Sequence, residues 1–254
     1  MTSGKIRLNM RLKGELHMLV IKGVTKSYDG IKKACDNVSL TIEAGDIFGF
    51  VGHNGAGKTT LLKSIAGIID FDEGMIKVGG YRIDEDPLEV KKLIAYIPDN
   101  PDIYESLTGL QYLNFISDVF ELDEETREKE IEKYATLFEI RDVLNNPISS
   151  YSHGMKQKLV IISALIHKPL VFLLDEPFVG LDPKASFQLK EIFKEMCSQG
   201  TAIFFSTHVL EVVEKLCNKV AIIKQGQIVA SGDTASIIKD QSLESIFMEI
   251  QKES

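Results

Sequence analysis

The chain has 254 residues, enough for one large α/β domain or a core with an inserted subdomain, and too many for a small scaffold held by covalent staples. Its 29 Lys and Arg against 37 Asp and Glu give a formal charge of −8, which opposes a broad nucleic-acid or anionic-membrane footprint. Cys35, Cys197 and Cys217 form no C-x-x-C pair and read as reduced structural thiols, and the most apolar stretch, Leu159 to Leu174, is broken by His167-Lys168-Pro169 before it reaches the ~18 apolar residues of a membrane span.

Met1 to His17 mixes Lys5, Arg7, Arg11 and Lys13 with scattered apolar residues and lacks the continuous apolar core of a signal peptide. Residues 1–18 therefore read as an N-terminal extension, native or added, outside the fold. Leu19 to Tyr28 forms a strand that turns at Asp29-Gly30, and Val38, Leu40 and Ile42 alternate with polar residues as a half-buried strand does. Ala44-Gly45 turns the chain into the next strand.

That strand, ending in Phe48-Gly49-Phe50-Val51, leads into Gly52-His53-Asn54-Gly55-Ala56-Gly57-Lys58-Thr59-Thr60, after which Leu61, Leu62, Ile65 and Ala66 recur at helical spacing. The order is strand, glycine loop, helix. A phosphate chain needs backbone N–H groups turned inward, and glycines let a loop approach it without Cβ clashes. The helix start adds the positive end of its dipole. Lys58 is then placed for the β- and γ-phosphates, and the Thr59 hydroxyl suits a Mg²⁺ ligand. A glycine-rich turn that binds nothing is the plainer reading, and the strand–helix context argues against it.

Further on, Phe71 to Gly74 is a turn, Met75 to Val78 a strand closed by Gly79-Gly80, and Leu93 to Ile97 a strand stopped by Pro98. Residues 100–104 are loop and Leu107 to Phe120 is helical. Asp123 N-caps a charged helix from Glu124 to about Ile140, with Ile131, Tyr134, Ala135 and Phe138 on one face and a Glu125–Lys129 pair on another. The charge run is a solvated face with no chemistry assigned. Val171–Leu174, Ala202–Ser206 and Val220–Ile223 are short apolar strands alternating with helices at Pro183–Ser198 and His208–Leu216, the pattern of a mainly parallel, covered sheet. Gln225-Gly226 is a hairpin turn, and the tail from Thr234 is helical.

Two more segments carry chemistry. The strand Val171-Phe172-Leu173-Leu174 ends in Asp175 and Glu176, at the carboxyl edge where parallel sheets gather ligands. Adjacent residues on an extended chain diverge, which suits Asp175 to Mg²⁺ and Glu176 to the water that attacks the γ-phosphate. Tyr151-Ser152-His153-Gly154-Met155-Lys156-Gln157 precedes a helix; Ser152 can N-cap it, and its free N–H groups make a second phosphate-competent helix start. An ordinary capped helix accounts for this segment when it is taken alone.

GHNGAGKTT, YSHGMKQK, LLDEP, Gly180-Leu181-Asp182 and Ser206-Thr207-His208 occur in an order and spacing that resemble the ATP-binding subunits of ABC transporters, over about Leu19 to Gly232. The resemblance implies a P-loop NTPase core with a mainly parallel α/β sheet, an antiparallel β subdomain and an inserted helical subdomain. It divides the chain into a core of residues 19–98 and 160–234, a helical subdomain of 99–159 and a tail of 235–254. It implies that residues 52–60 bind ATP, that Tyr28 stacks on adenine, and that Glu176, His208 and Lys58 act in hydrolysis. Ser152, His153, Gly154 and Met155 resemble the signature that acts on a partner's ATP, and Asp182 the D-loop acid. The signature departs from Leu-Ser-Gly-Gly-Gln at Tyr151, His153 and Met155. Asp99 stands near the position where the family commonly has a Gln beside the metal, so Thr59, Asp175 and Asp99 are the metal candidates.

The same resemblance implies ATP and Mg²⁺ as cofactors, a head-to-tail dimer with a second copy or a paralogous subunit, and a transmembrane permease at the cytoplasmic face of the membrane. No nucleic-acid partner is implied. IPDNPDIYESLTG and SHGMKQK look most like the subgroup that energises ABC-2-type exporters, with Pro98–Asn114 receiving a helix of the membrane subunit. A soluble ABC-type ATPase acting on ribosomes or DNA is the alternative, and it would usually show two cassettes or a long coiled-coil insertion.

Overall fold

A computed structural model of the chain describes residues 17–100, 103–239 and 241–252. Strands β1 (His17–Ser27) and β2 (Lys33–Glu43) pair antiparallel, because Leu19, Ile21 and Val24 on one and Val38, Leu40 and Ile42 on the other all present apolar side chains to the same interior. The expected extension overlaps this strand: His17 and Met18 belong to β1, and Met18 is buried. Residues 1–16 lie outside the described residues.

Strand β3 (Ile47–Val51) runs into helix α1 (Lys58–Ile65). Then β4 (Glu73–Val78) and β5 (Tyr81–Arg82) complete a four-stranded sheet in the order β2-β1-β4-β5. Helix α2 (Pro87–Leu93) leads into β6 (Ile94–Ile97), so Leu93, expected in the strand, ends a helix instead. Helices α3 (Gly109–Val119), α4 (Glu124–Leu137) and α5 (His153–Leu165) follow. Next come β7 (Val171–Asp175), α6 (Pro183–Ser198), β8 (Ala202–Thr207) and α7 (Leu210–Leu216). The described chain closes with β9 (Lys219–Lys224), β10 (Gln227–Asp233), α8 (Thr234–Ile238) and α9 (Leu243–Lys252).

The second sheet has the order β10-β9-β3-β8-β7-β6. Its pairs are parallel except that between β9 and the edge strand β10. This is the expected α/β architecture. Alternate side chains of the parallel strands enter opposite cores. Phe172, Leu174, Ile203 and Phe205 meet the helical layer from α3 to α6, while Phe48, Phe50, Leu173 and Phe204 meet α1 and the antiparallel sheet. Covering both faces explains strands that are apolar throughout. All three cysteines are buried and free; burial pushes the Cys35 and Cys197 thiols up to about 12, which keeps them unreactive.

The inserted helices differ from expectation in four details. Helix α3 starts at Gly109, fixed by a capping box between Thr108 and Gln111. Helix α4 is N-capped by Asp123 as expected but stops at Leu137, because Glu139 turns to φ 59°. The Glu125–Lys129 pair is not formed; Arg127 instead reaches Asp118, and the buried Glu130 is met by Lys168 at 2.6 Å. Helix α5 is continuous from 153 to 165, so a boundary drawn between residues 159 and 160 falls inside it.

His167, just past α5, stacks flat on Phe120 with centroids 3.7 Å apart and planes 3° apart, and its Nδ1 has no hydrogen-bond partner. Burial pushes its pKa down to about 3. The unfolded chain takes up this proton near pH 6.5 and the folded chain refuses it, so stability falls as the pH drops from about 6.5 toward 3, by at most about 1.4 kcal/mol per unit. In His167→Leu protein the loss of urea midpoint between about pH 6 and pH 4 should therefore be shallower than in the parent. Parallel curves would contradict it.

Candidate functional site

The loop between β3 and α1 is held by its glycines and its lysine. Gly57 has φ 111°, and a Cβ there would stand 2.1 Å from the Ala34 carbonyl oxygen, so only glycine lets β2 close over the loop. The buried Lys58 ammonium donates to the carbonyls of Gly52 at 2.7 Å and His53 at 3.3 Å. Burial lowers its pKa, while the carboxylates of Glu176 and Asp175 pull the other way. The lysine charge therefore faces the two acids across the loop.

Asp175, at the end of β7, is buried, and hydroxyls hold both of its oxygens. Thr59 Oγ1 donates to Oδ2 at 2.5 Å, and Ser206 Oγ donates to Oδ1. Glu176 leaves the strand in the left-handed region, φ 51°, with its N–H bonded to the Ser206 carbonyl at 3.0 Å. That turn swings its carboxylate away from Asp175. Thr207 Oγ1 donates to Glu176 Oε2 at 3.0 Å, and His208 Nδ1 meets Oε1 at 2.9 Å. The two acids diverge as their adjacency predicts.

An open cleft of about 1170 Å³ brings together Tyr28, residues 53–60, Asp99, Asp175 and Glu176, with Lys224 and Gln225 also lining it. Tyr28 is two-thirds exposed, its hydroxyl 3.3 Å from Thr60 Oγ1. Asp99 accepts the Asn100 N–H at 2.8 Å.

Ser152 N-caps α5, accepting the Met155 N–H at 3.3 Å. The His153 ring and Gly154 lie against Gly180, and Met155 packs on the helical core. Asp182 N-caps α6 through the Ala185 N–H at 2.8 Å and pairs with Lys158 at 2.7 Å; that ammonium holds its carboxyl below the usual range. None of Ser152, His153, Gly154, Met155 and Asp182 is among the cleft residues. The structure thus unites two of the sequence segments and leaves the third on a separate surface.

Residues 35–179 match the ABC transporter family, with the cleft's two motifs inside that span. The chain belongs to this family. The ABC-type transporter ATP-binding protein EcsA of Bacillus subtilis (strain 168) is 33% identical over 94% of this chain and 98% of its own length. The linearmycin resistance ATP-binding protein LnrL of the same organism is 33% identical over 85% of this chain and 69% of its own. A solved ATP-binding subunit of an ABC transporter superposes with a TM-score of 0.88 at 30% identity, covering 92% of this chain and 99% of that one.

As an ABC-family ATPase, the chain has residues beside the candidate site to which the motifs assign no role of their own. Ser206 and Thr207 are buried at the end of β8 and tie down the two acids. Their one signal in the sequence is a pair of hydroxyls at a strand end directly before His208. Lys224 and Gln225 reach the cleft from the β9–β10 hairpin, which carries no motif of its own.

Proposed function

We propose that the chain hydrolyses ATP to drive export, working head to tail with a second copy or a paralogous subunit. The pair sits at the cytoplasmic face of the membrane through a separate transmembrane permease. The observation that carries this reading is the division of the phosphate-facing parts: residues 53–60, Asp175 and Glu176 share one cleft, while Ser152 caps a helix start outside it. A second helix N-terminus with exposed donors has a phosphate to meet when another chain presents one, and a two-fold pair gives each cleft the other's Ser152–Met155.

In that pair, residues 52–60 cradle the triphosphate, Lys58 neutralises the β- and γ-phosphates, and Tyr28 stacks on adenine. Glu176 orients the attacking water, held in place by Thr207 and His208. Asp182, fixed by Lys158, sits beside the signature at the seam between chains. The site also fits Mg²⁺. Thr59 and Asp175 converge as a hydroxyl and a buried carboxylate, and Asp99 lies in the same cleft. Mg²⁺ favours one or two carboxylates plus phosphate oxygens over an all-protein cage, and among the described residues no group of three or more His, Cys, Asp and Glu forms such a cage. When bound, the ion would neutralise charge on the phosphates.

Export is supported by the likeness to LnrL, a linearmycin resistance protein. Among the described residues no helix is long and apolar enough to cross a membrane, so a permease would supply the spans. Its docking surface is the segment before and along α3. Tyr104 is 60% exposed and Phe115 44%, and their rings meet edge to face at 5.8 Å. Ile103, by contrast, is partly buried against the core. Exposed paired aromatics of this kind anchor partners. Tyr104→Asp and Phe115→Asp proteins should lose co-purification with the membrane subunit, yet keep basal ATPase activity within a few-fold. Unchanged co-purification would place the docking surface elsewhere.

A further inference from the structure

Helix α9 is anchored along one face, and two of its anchors are parts of the nucleotide cleft. Leu243 is fully buried, and its N–H donates to Glu214 Oε2 on α7 at 3.3 Å. One turn on, Phe247 is buried with its ring 4.9 Å from that of His53, at 59°. In the last turn, the Ile250 carbonyl accepts Lys224 Nζ at 2.7 Å, a cation satisfying an orphan helix-end acceptor. The spacing 243, 247, 250 is that of a single helical face. Met248, on the other side, is 52% exposed. His53 belongs to the phosphate loop, and Lys224 lines the same cleft.

We propose that α9 is a positioning element for the nucleotide site, with Phe247 acting through His53 and Ile250 through Lys224. The His53 carbonyl is one of the two that the buried Lys58 ammonium holds, so a shift of the His53 ring is transmitted to the lysine and the loop. His53 is flanked by Gly52 and, two residues on, Gly55, and its ring is the one aromatic handle on a stretch of backbone with few side chains. A loop held in its binding geometry loses less conformational freedom when nucleotide arrives, so docking of α9 raises affinity. Linkage then requires bound nucleotide to tighten the docking of α9 by the same factor. This inference rests on the reading of residues 52–60 as the nucleotide loop.

The test uses the full chain and ADP, with calorimetry for affinity and amide exchange for the helix. Phe247→Ala should weaken ADP binding about tenfold by loss of preorganisation, Phe247→Tyr should restore it, and Met248→Ala should leave it at the parental value. In the parent, amides of residues 243–252 should exchange several-fold more slowly with saturating ADP, a coupling that a helix merely covering the core would not show. Parental ADP affinity in Phe247→Ala protein overturns the proposal. If that variant does not fold, exchange in α9 that ignores ADP in the parent overturns it equally. A parent that binds no ADP would overturn the site reading itself, and this inference with it.

Discussion

Replacing Glu176 by Gln should leave ATP binding close to the parental value and slow turnover by roughly three orders of magnitude, the scale of a lost general base or water-orienting group. Glu176 sits at φ 51°, a conformation that costs a non-glycine residue energy and is kept where the surroundings over-determine it. Those surroundings are the Ser206 carbonyl, the Thr207 hydroxyl and the His208 ring. Gln keeps the length and one acceptor oxygen, so the turn survives while the negative charge is lost. Pre-steady-state ATP turnover beside equilibrium binding separates the two effects, and hydrolysis at the parental rate would remove Glu176 from its proposed role.

Ser152→Arg should give a similar signature for a different reason: parental ATP affinity in the isolated chain, with hydrolysis lower by about a hundredfold or more because the closed pair cannot form. Ser152 is exposed and caps α5. Losing the cap costs on the order of 1 kcal/mol, which a domain of this size tolerates. The long cation then occupies the space where a partner's triphosphate would meet the helix start. A large drop in ATP affinity would instead mean that Ser152 serves its own chain's cleft.

The parts legible in the sequence are those whose chemistry is local. Residues 52–60 and the Asp175-Glu176 pair announce themselves because loop, cap and strand end lie within a few residues of one another. Helix α6 was expected at its observed bounds for the same reason: Asp182 caps it and Pro183 fills its first position. Other features depend on contacts between distant segments. β5 is two residues long and exists by pairing with β4. α2 is seven residues with little periodicity to detect. The expected Glu125–Lys129 pair gave way to Glu130 meeting Lys168 from another element, and the burial of His167 against Phe120 has no local signal. The clearest case is α9, legible in the sequence as a helical tail, whereas its target, His53, is known from the fold alone.

The central claim is that one chain's cleft is completed by another chain's Ser152 surface, and mixing two inactive variants tests it most directly. Ser152→Arg protein retains an intact cleft, and Lys58→Ala protein retains an intact Ser152 surface. Head-to-tail pairing predicts that each is strongly impaired alone, and that an equal mixture recovers up to about a quarter of the parental rate: in a mixed pair the substituted side chain faces the cleft that lacks Lys58 and its triphosphate, the other site is complete, and random pairing makes half of the dimers mixed. A mixture as inactive as its components would contradict the account.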